Sequence, residues 1–221
     1  MPPRPRYVAI EGPPGAGVSV LARRLATATG SRLVEDGTAD NPFLQGFATD
    51  PRRFAFQAQV FFLLARYRQQ GELSQGDLFA QGGVVADYCF ARDPIWARIA
   101  LTTEELALYE RVYALLEPRV PVPDLVVYVT ARPEVLRARI QRRVRATDRV
   151  VEEGRIDEIA RSLGEYFFRY EASPLLVVNT SEIDYNAGDE GDGDEARLAE
   201  IVAVIQRTKA GVNHYVPGDR R

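Results

Sequence analysis

Lysine is almost missing from this sequence: of 28 basic residues only Lys209 is lysine, and the rest are arginine. Cysteine is scarcer than a disulfide framework allows, since the single Cys89 excludes an internal bridge and fits a reducing compartment. No stretch approaches the roughly 20 apolar residues of a membrane span. The start, Met1–Arg6, is not followed by the apolar core of a secretory signal. An excess of positive charge is lacking too, and a net charge of −3 gives nucleic acid no electrostatic hold. These absences point to a cytoplasmic protein with neither membrane nor nucleic acid among its partners.

What is present suits one globular domain. The chain has 221 residues, 46% of them hydrophobic, enough for a substantial core. A single domain is expected over 1–208. It carries a low-complexity acidic loop at about 184–194, which reads as solvated because it lacks the calcium-loop pattern. Residues 209–221 read as a mobile tail.

The lysine shortage matters at one place. Gly12-Pro13-Pro14-Gly15-Ala16-Gly17-Val18-Ser19 has the spacing of a phosphate-binding loop, G-x-x-x-x-G-K-[ST], with valine in the lysine position. A general drift from lysine to arginine does not explain Val18, which has no charge at all. Tyr7–Ile10 reads as a buried strand before the loop and Ser19–Thr29 as the helix after it. Glycines there allow backbone N–H groups and a helix N-terminus to surround anionic oxygens. A plain Gly/Pro turn between strand and helix is the rival reading, and the flanking strand and helix favour the phosphate site.

Further strands are expected at Arg32–Glu35, Val84–Asp87, Leu125–Val129 and Leu175–Val178, short and β-branched as strands buried on both faces are. Helices are expected at Arg53–Gln70, Thr103–Leu116, Pro133–Val144, Arg155–Tyr170 and Glu195–Gln206. Strands alternating with helices imply an α/β fold with a parallel sheet covered on both sides.

Several segments together resemble the bacterial deoxynucleoside kinases of the deoxyguanosine/deoxyadenosine branch. They are Ile10-Glu11-Gly12-Pro13 with the loop, Asp40-Asn41-Pro42-Phe43-Leu44, Phe54 to Gln59 through Arg66, and Ala86-Asp87-Tyr88. Pro123-Asp124-Leu125, the arginine-rich segment 139–145 and Tyr170 to Leu176 follow in the same order. The resemblance spans roughly residues 5–206. It implies a P-loop NTPase three-layer fold with a five-stranded parallel sheet, helices on both faces and an Arg-rich lid. It also implies a homodimer that moves the γ-phosphate of ATP, with Mg²⁺, to a deoxynucleoside 5′-hydroxyl. Helices Arg53–Gln70 and Thr103–Leu116 are interface candidates on that ground alone.

Carried onto this chain, the resemblance assigns roles. Gly12, Gly15, Ala16, Gly17, Val18 and Ser19 line the nucleoside triphosphate, and Ser19 holds Mg²⁺. The family's general base falls on Asp36 with Glu35 adjacent, and either carboxylate suits the task. An Asx-Gly turn at Asp36-Gly37 is the rival reading. Asp87 ends the third strand, where ligands bind in such sheets, and would hold Mg²⁺ or touch the 5′-hydroxyl. The family often follows this acid with arginine, whereas here it is Tyr88. Gln59 and Arg66, two helical turns apart, read the base with Asp93, between Phe62 and Trp96 as walls or plain core. Arg143 and Arg145 stand at the end of the arginine run 137, 139, 142, 143, 145, where Val144 replaces the lid's glycine and stiffens it. Those arginines are the candidates to replace the missing ammonium, or else a solvated helix face, as are Arg23 and Arg24 after the loop. Losing the lysine typically costs roughly 10²–10⁴ in rate. The expected activity is therefore deoxynucleoside phosphorylation. The alternatives are a non-catalytic nucleotide-binding relative and an interaction protein with an empty pocket.

Overall fold

The computed structural model describes residues 5–37, 40–74, 83–142, 155–183, 192–208 and 211–217. β1 (Tyr7–Glu11) is buried along its whole length, and its apolar side chains feed cores on both sides of the sheet. It pairs in parallel with β3 (Val84–Ala86) on one edge and β4 (Leu125–Thr130) on the other. β2 (Arg32–Val34) lies outside β3, and β5 (Leu175–Asn179) outside β4. Asp124 sits at the entry of β4 and accepts the backbone N–H groups of Arg6 and Tyr7 at 2.8 and 2.9 Å, tying β1 to its neighbour.

The sheet has six strands where five were expected. β6 (Val212–Tyr215), in the segment expected to be mobile, pairs in parallel with β5, from Leu175↔Val212 to Val178↔Tyr215. Its order is tertiary in origin: the ladder to β5 and the packing of Tyr215 on the core hold a strand with two exposed residues. The strand order is β2-β3-β1-β4-β5-β6. Connections leave β1 and β3 toward opposite edges, so the carboxyl ends of these strands border the crevice where ligands bind in open α/β sheets.

Helices α1 (Val18–Thr29) and α8 (Asp192–Arg207) cover one face, with Leu21, Leu25, Ile201 and Ile205 against Val8, Ile10, Val127 and Leu176. The other face is covered by the end of α3 (Pro51–Ser74), α4 (Asp93–Ala100) and α7 (Ile156–Phe168). Among its contacts, Ile95, Leu163 and Phe167 meet Tyr7, Ala9 and Val126. α5 (Thr103–Leu116) packs outside α3 and α4 through Tyr109 and Tyr113, and it opens with a complete Thr102–Glu105 capping box. α2 (Leu44–Thr49) and α4 were not expected. α2 follows Asn41, whose side chain accepts Phe43 N–H at 2.9 Å and donates to Ala58 O at 3.1 Å, fastening the turn to α3. α6 (Pro133–Arg142) starts at Pro133 as expected.

Candidate active site

The loop after β1 has the backbone its sequence calls for. A Cβ on Gly12 would lie 2.3 Å from the Val129 carbonyl oxygen, so only glycine lets the loop approach β4 this closely. Gly15 adopts φ +84°, and a side chain there would meet Leu136 O at 2.8 Å. Gly17 immediately precedes α1, and the first helical bond back is Leu21 N–H to Gly17 O at 3.0 Å. The amides of Val18 and Ser19 thus head the helix without intrahelical partners. Ala16 is buried. Its N–H closes the turn on Pro13 O at 3.0 Å and its carbonyl accepts the Thr180 hydroxyl at 3.1 Å, so it shapes the loop from within.

Val18 is half-buried and packs against the core cluster beneath the loop. Its Cγ2 sits 3.2 Å from where a Gly12 Cβ would be. Hydrocarbon therefore stands at the position the loop pattern gives to lysine. Arg23 does not reach back to the loop. Its guanidinium binds Glu35 at 2.7 Å, with both side chains about half exposed. Arg139 is no lid arginine either: it is buried and donates to Gly15 O at 3.3 Å, Thr180 O at 2.6 Å and Ile183 O. It bolts the phosphate loop to the segment after β5. Arg137 pairs with Asp157 at the surface. Arg143 and Arg145 lie outside the described residues.

At the carboxyl ends of β2 and β3 the structure gathers charge. Asp36 is held by both carboxylate oxygens: Arg66 Nε donates to Oδ1 at 2.9 Å and Arg66 NH2 to Oδ2 at 2.9 Å. Arg92 NH2 adds a second bond to Oδ2 at 2.9 Å. Burial alone would raise the Asp36 carboxyl, but Arg66 and Arg92 outweigh it and hold it below the usual carboxylate range. Arg66 also pairs with Asp93, and its guanidinium lies 5.3 Å from the Phe62 ring and 5.7 Å from the Tyr88 ring. Burial pushes the Asp93 carboxyl up against the pull of Arg66, and its Oδ2 has no partner among the described residues. Gln59 is buried nearby on α3, and its amide makes no hydrogen bond among the described residues. Of the two candidate bases, Asp36 joins this cluster, while Glu35 turns outward to Arg23.

Asp87 links the cluster to the loop. Its Oδ1 accepts the Asp36 backbone N–H at 2.6 Å, and the Ser19 hydroxyl lies near enough to pull its carboxyl down. Burial nevertheless raises its carboxyl above the ordinary range. Sequence reasoning missed two members. Glu11 is fully buried at the end of β1, where it accepts Gly12 N–H at 2.9 Å and Cys89 N–H at 3.0 Å. Burial raises its carboxyl as well. Arg92, in a one-turn 3-10 helix at Phe90–Arg92, reaches both Glu11 and Asp36. The signal for Glu11 was a charged residue closing an otherwise apolar strand. For Arg92 there was only its place beside Asp93. Four carboxylates, Glu11, Asp36, Asp87 and Asp93, thus surround two guanidiniums, with burial raising all but Asp36, and among the described residues they do not converge into a group of three that could hold a metal ion.

A glycine-built loop at a helix N-terminus, beside acids at the ends of neighbouring parallel strands, is the arrangement of a phosphate-binding loop. Residues 8–202 match the deoxynucleoside kinase family, and the chain belongs to it. It is 31% identical over 197 residues to a deoxyguanosine kinase of Bacillus subtilis, covering 89% of this chain and 95% of that one. A deoxyadenosine/deoxycytidine kinase of the same organism is 24% identical, over 92% of this chain and 94% of the other. Among solved structures, the deoxyadenosine kinase of M. mycoides with products dCMP and a flexible dCDP bound superposes with a TM-score of 0.75 at 19% identity. That match covers 90% of this chain and 98% of that one. The same enzyme with bound dATP gives 0.73 at 20% identity, over 89% and 96% of the two chains. The expected fold class stands apart from the added strand, and the family membership favours kinase over non-catalytic relative.

Proposed function

We propose that this chain transfers the γ-phosphate of ATP to the 5′-hydroxyl of a purine deoxynucleoside, with Asp36 as the group facing that hydroxyl. The observation that carries the reading is the contact chain Ser19–Asp87–Asp36–Arg66–Asp93. It runs without a break from the glycine loop to a cluster of buried polar side chains, among them Gln59 and Asp93. The unspent Gln59 amide, which both donates and accepts, and the free Asp93 Oδ2 suit a nucleobase edge, with Phe62 beside them. The names of the relatives favour guanine or adenine as that base.

In the transfer, the 5′-oxygen bonds to the γ-phosphorus as the bond to the bridging oxygen of ADP breaks, and the hydroxyl proton passes to Asp36. A carboxylate held below its usual range is a weak base. It serves because phosphoryl transfer through a loose transition state surrenders the hydroxyl proton late, leaving orientation as the larger contribution. Ser19 and Asp87 would hold Mg²⁺, an oxygen donor pair suited to it, and the ion neutralises phosphate charge when bound. A cleft of about 340 Å³, lined by Glu134, Ala138, Arg142, Ser181 and Glu182 behind the loop, would take the donor's base.

A homodimer would form through α3 and α5, which expose Leu64, Leu108 and Leu115. No helix among the described residues is long and apolar enough to cross a membrane. A cytoplasmic setting accords with the buried thiol of Cys89, pushed up to about 12 by burial and left unreactive. The test is turnover of deoxyguanosine, deoxyadenosine and deoxycytidine with Mg·ATP, alongside thermal shifts with each ligand. Stabilisation by both ATP and a purine deoxynucleoside, with 5′-monophosphate formed, is expected. Thermal shifts without product would return the chain to a binding role.

A further inference from the structure

Resting on that reading, we infer that Arg92 is the positioning residue of the phosphoryl acceptor end: it closes one oxygen of Asp36 and leaves the other to take the hydroxyl proton. The argument is a count of lone pairs. Each carboxylate oxygen offers two acceptor sites. Asp36 Oδ2 receives Arg66 NH2 and Arg92 NH2, each at 2.9 Å, and is filled. Among the described residues Oδ1 receives Arg66 Nε alone, at 2.9 Å, and retains one site. Without Arg92 both oxygens would be equivalent toward Arg66 and the carboxylate plane free to rock about that fork.

Arg92 is itself fixed from the donor side. Its NH1 lies 3.4 Å from each oxygen of Glu11, and its guanidinium 5.4 Å over the Trp96 ring. Glu11 in turn holds the Gly12 N–H at 2.9 Å, the first amide of the phosphate loop. The distance between the proton-accepting oxygen and the loop is therefore set through one planar side chain spanning β1 and the segment after β2.

Stability does not account for this arrangement. Buried ion pairs are often matched by apolar packing, and Arg92 Nε is buried with no partner among the described residues, a cost to the fold. The guanidinium contributes geometry, which matters most for the step in which O5′–P forms, O–P to ADP breaks and the proton moves to Oδ1.

The test measures kcat and both KM values for Arg92→Ala, with and without added methylguanidinium. A fall in kcat of about 10²-fold is expected, the scale of a catalytic group displaced by about 1 Å. KM for Mg·ATP should stay within about threefold, and methylguanidinium should restore kcat at least tenfold. If Arg92→Ala does not fold, Arg92→Lys replaces it: lysine keeps the charge but not the planar fork, and kcat must still fall about tenfold with KM held. A kcat within about threefold of the unaltered chain overturns the inference. So does a loss carried by KM and thermal stability that methylguanidinium leaves untouched. Absence of product from the unaltered chain overturns instead the kinase reading beneath it.

Discussion

In the glycine loop, Gly12 to Ser19, proposed as the donor end of the site, main-chain amides head a helix, and the position that usually carries an ammonium holds the half-buried hydrocarbon of Val18. At the acceptor end the reverse holds. Asp36, Arg66, Arg92 and Asp93 form a buried lattice of ion pairs, with Asp87 and Glu11 joining it to the loop. Backbone donors are set by the fold and survive the loss of one side chain. A charge lattice is specified residue by residue, and breaking one buried pair typically costs about 3–5 kcal/mol.

The largest expected effect falls on the acceptor end. Asp36→Asn should lower kcat about 10³-fold while deoxynucleoside binding, followed by thermal shift, persists. Retention of full kcat would remove Asp36 from the chemistry. Next, Gln59→Ala should raise the deoxynucleoside KM about tenfold, roughly one hydrogen bond, and leave KM for ATP alone. An effect on ATP instead would move Gln59 to the donor half. Ser19→Ala should raise the Mg²⁺ concentration for half-maximal rate about tenfold, and chelation with EDTA should abolish turnover of the unaltered chain. A rate indifferent to EDTA would show the Ser19–Asp87 pair to be structural. The smallest change is Glu35→Gln. Its ion pair with Arg23 is about half exposed, so kcat should stay within about twofold and stability within about 0.5 kcal/mol. A large loss there would exchange the roles given to Glu35 and Asp36.

The frame of the fold was legible because it rests on local pattern. β1, the loop and α1 follow from an apolar run, three glycines and a helical stripe, and α5 begins at the cap its sequence announces. β6 was not legible: its stability comes from the β5 ladder and not from its own residues. α4 was hidden by its eight-residue length behind a 3-10 turn. In the site, Asp36 came from the family resemblance and Asp87 from its place at a strand end, and the topology brings the two into contact. Arg139 was misassigned because sequence gives residue type and not burial, and its guanidinium faces inward to three carbonyls. Glu11 and Arg92 were missed for the same reason, since a buried ion pair between residues 81 apart leaves no periodic trace.

The division between a backbone-built donor end and a charge-built acceptor end is tested most directly by Val18→Lys, with steady-state kinetics against both substrates. If the loop lacks only its ammonium, kcat should rise about 10²-fold while the deoxynucleoside KM moves less than about twofold. A kcat that fails to rise, or a deoxynucleoside KM that shifts with it, would contradict the separation of the two ends.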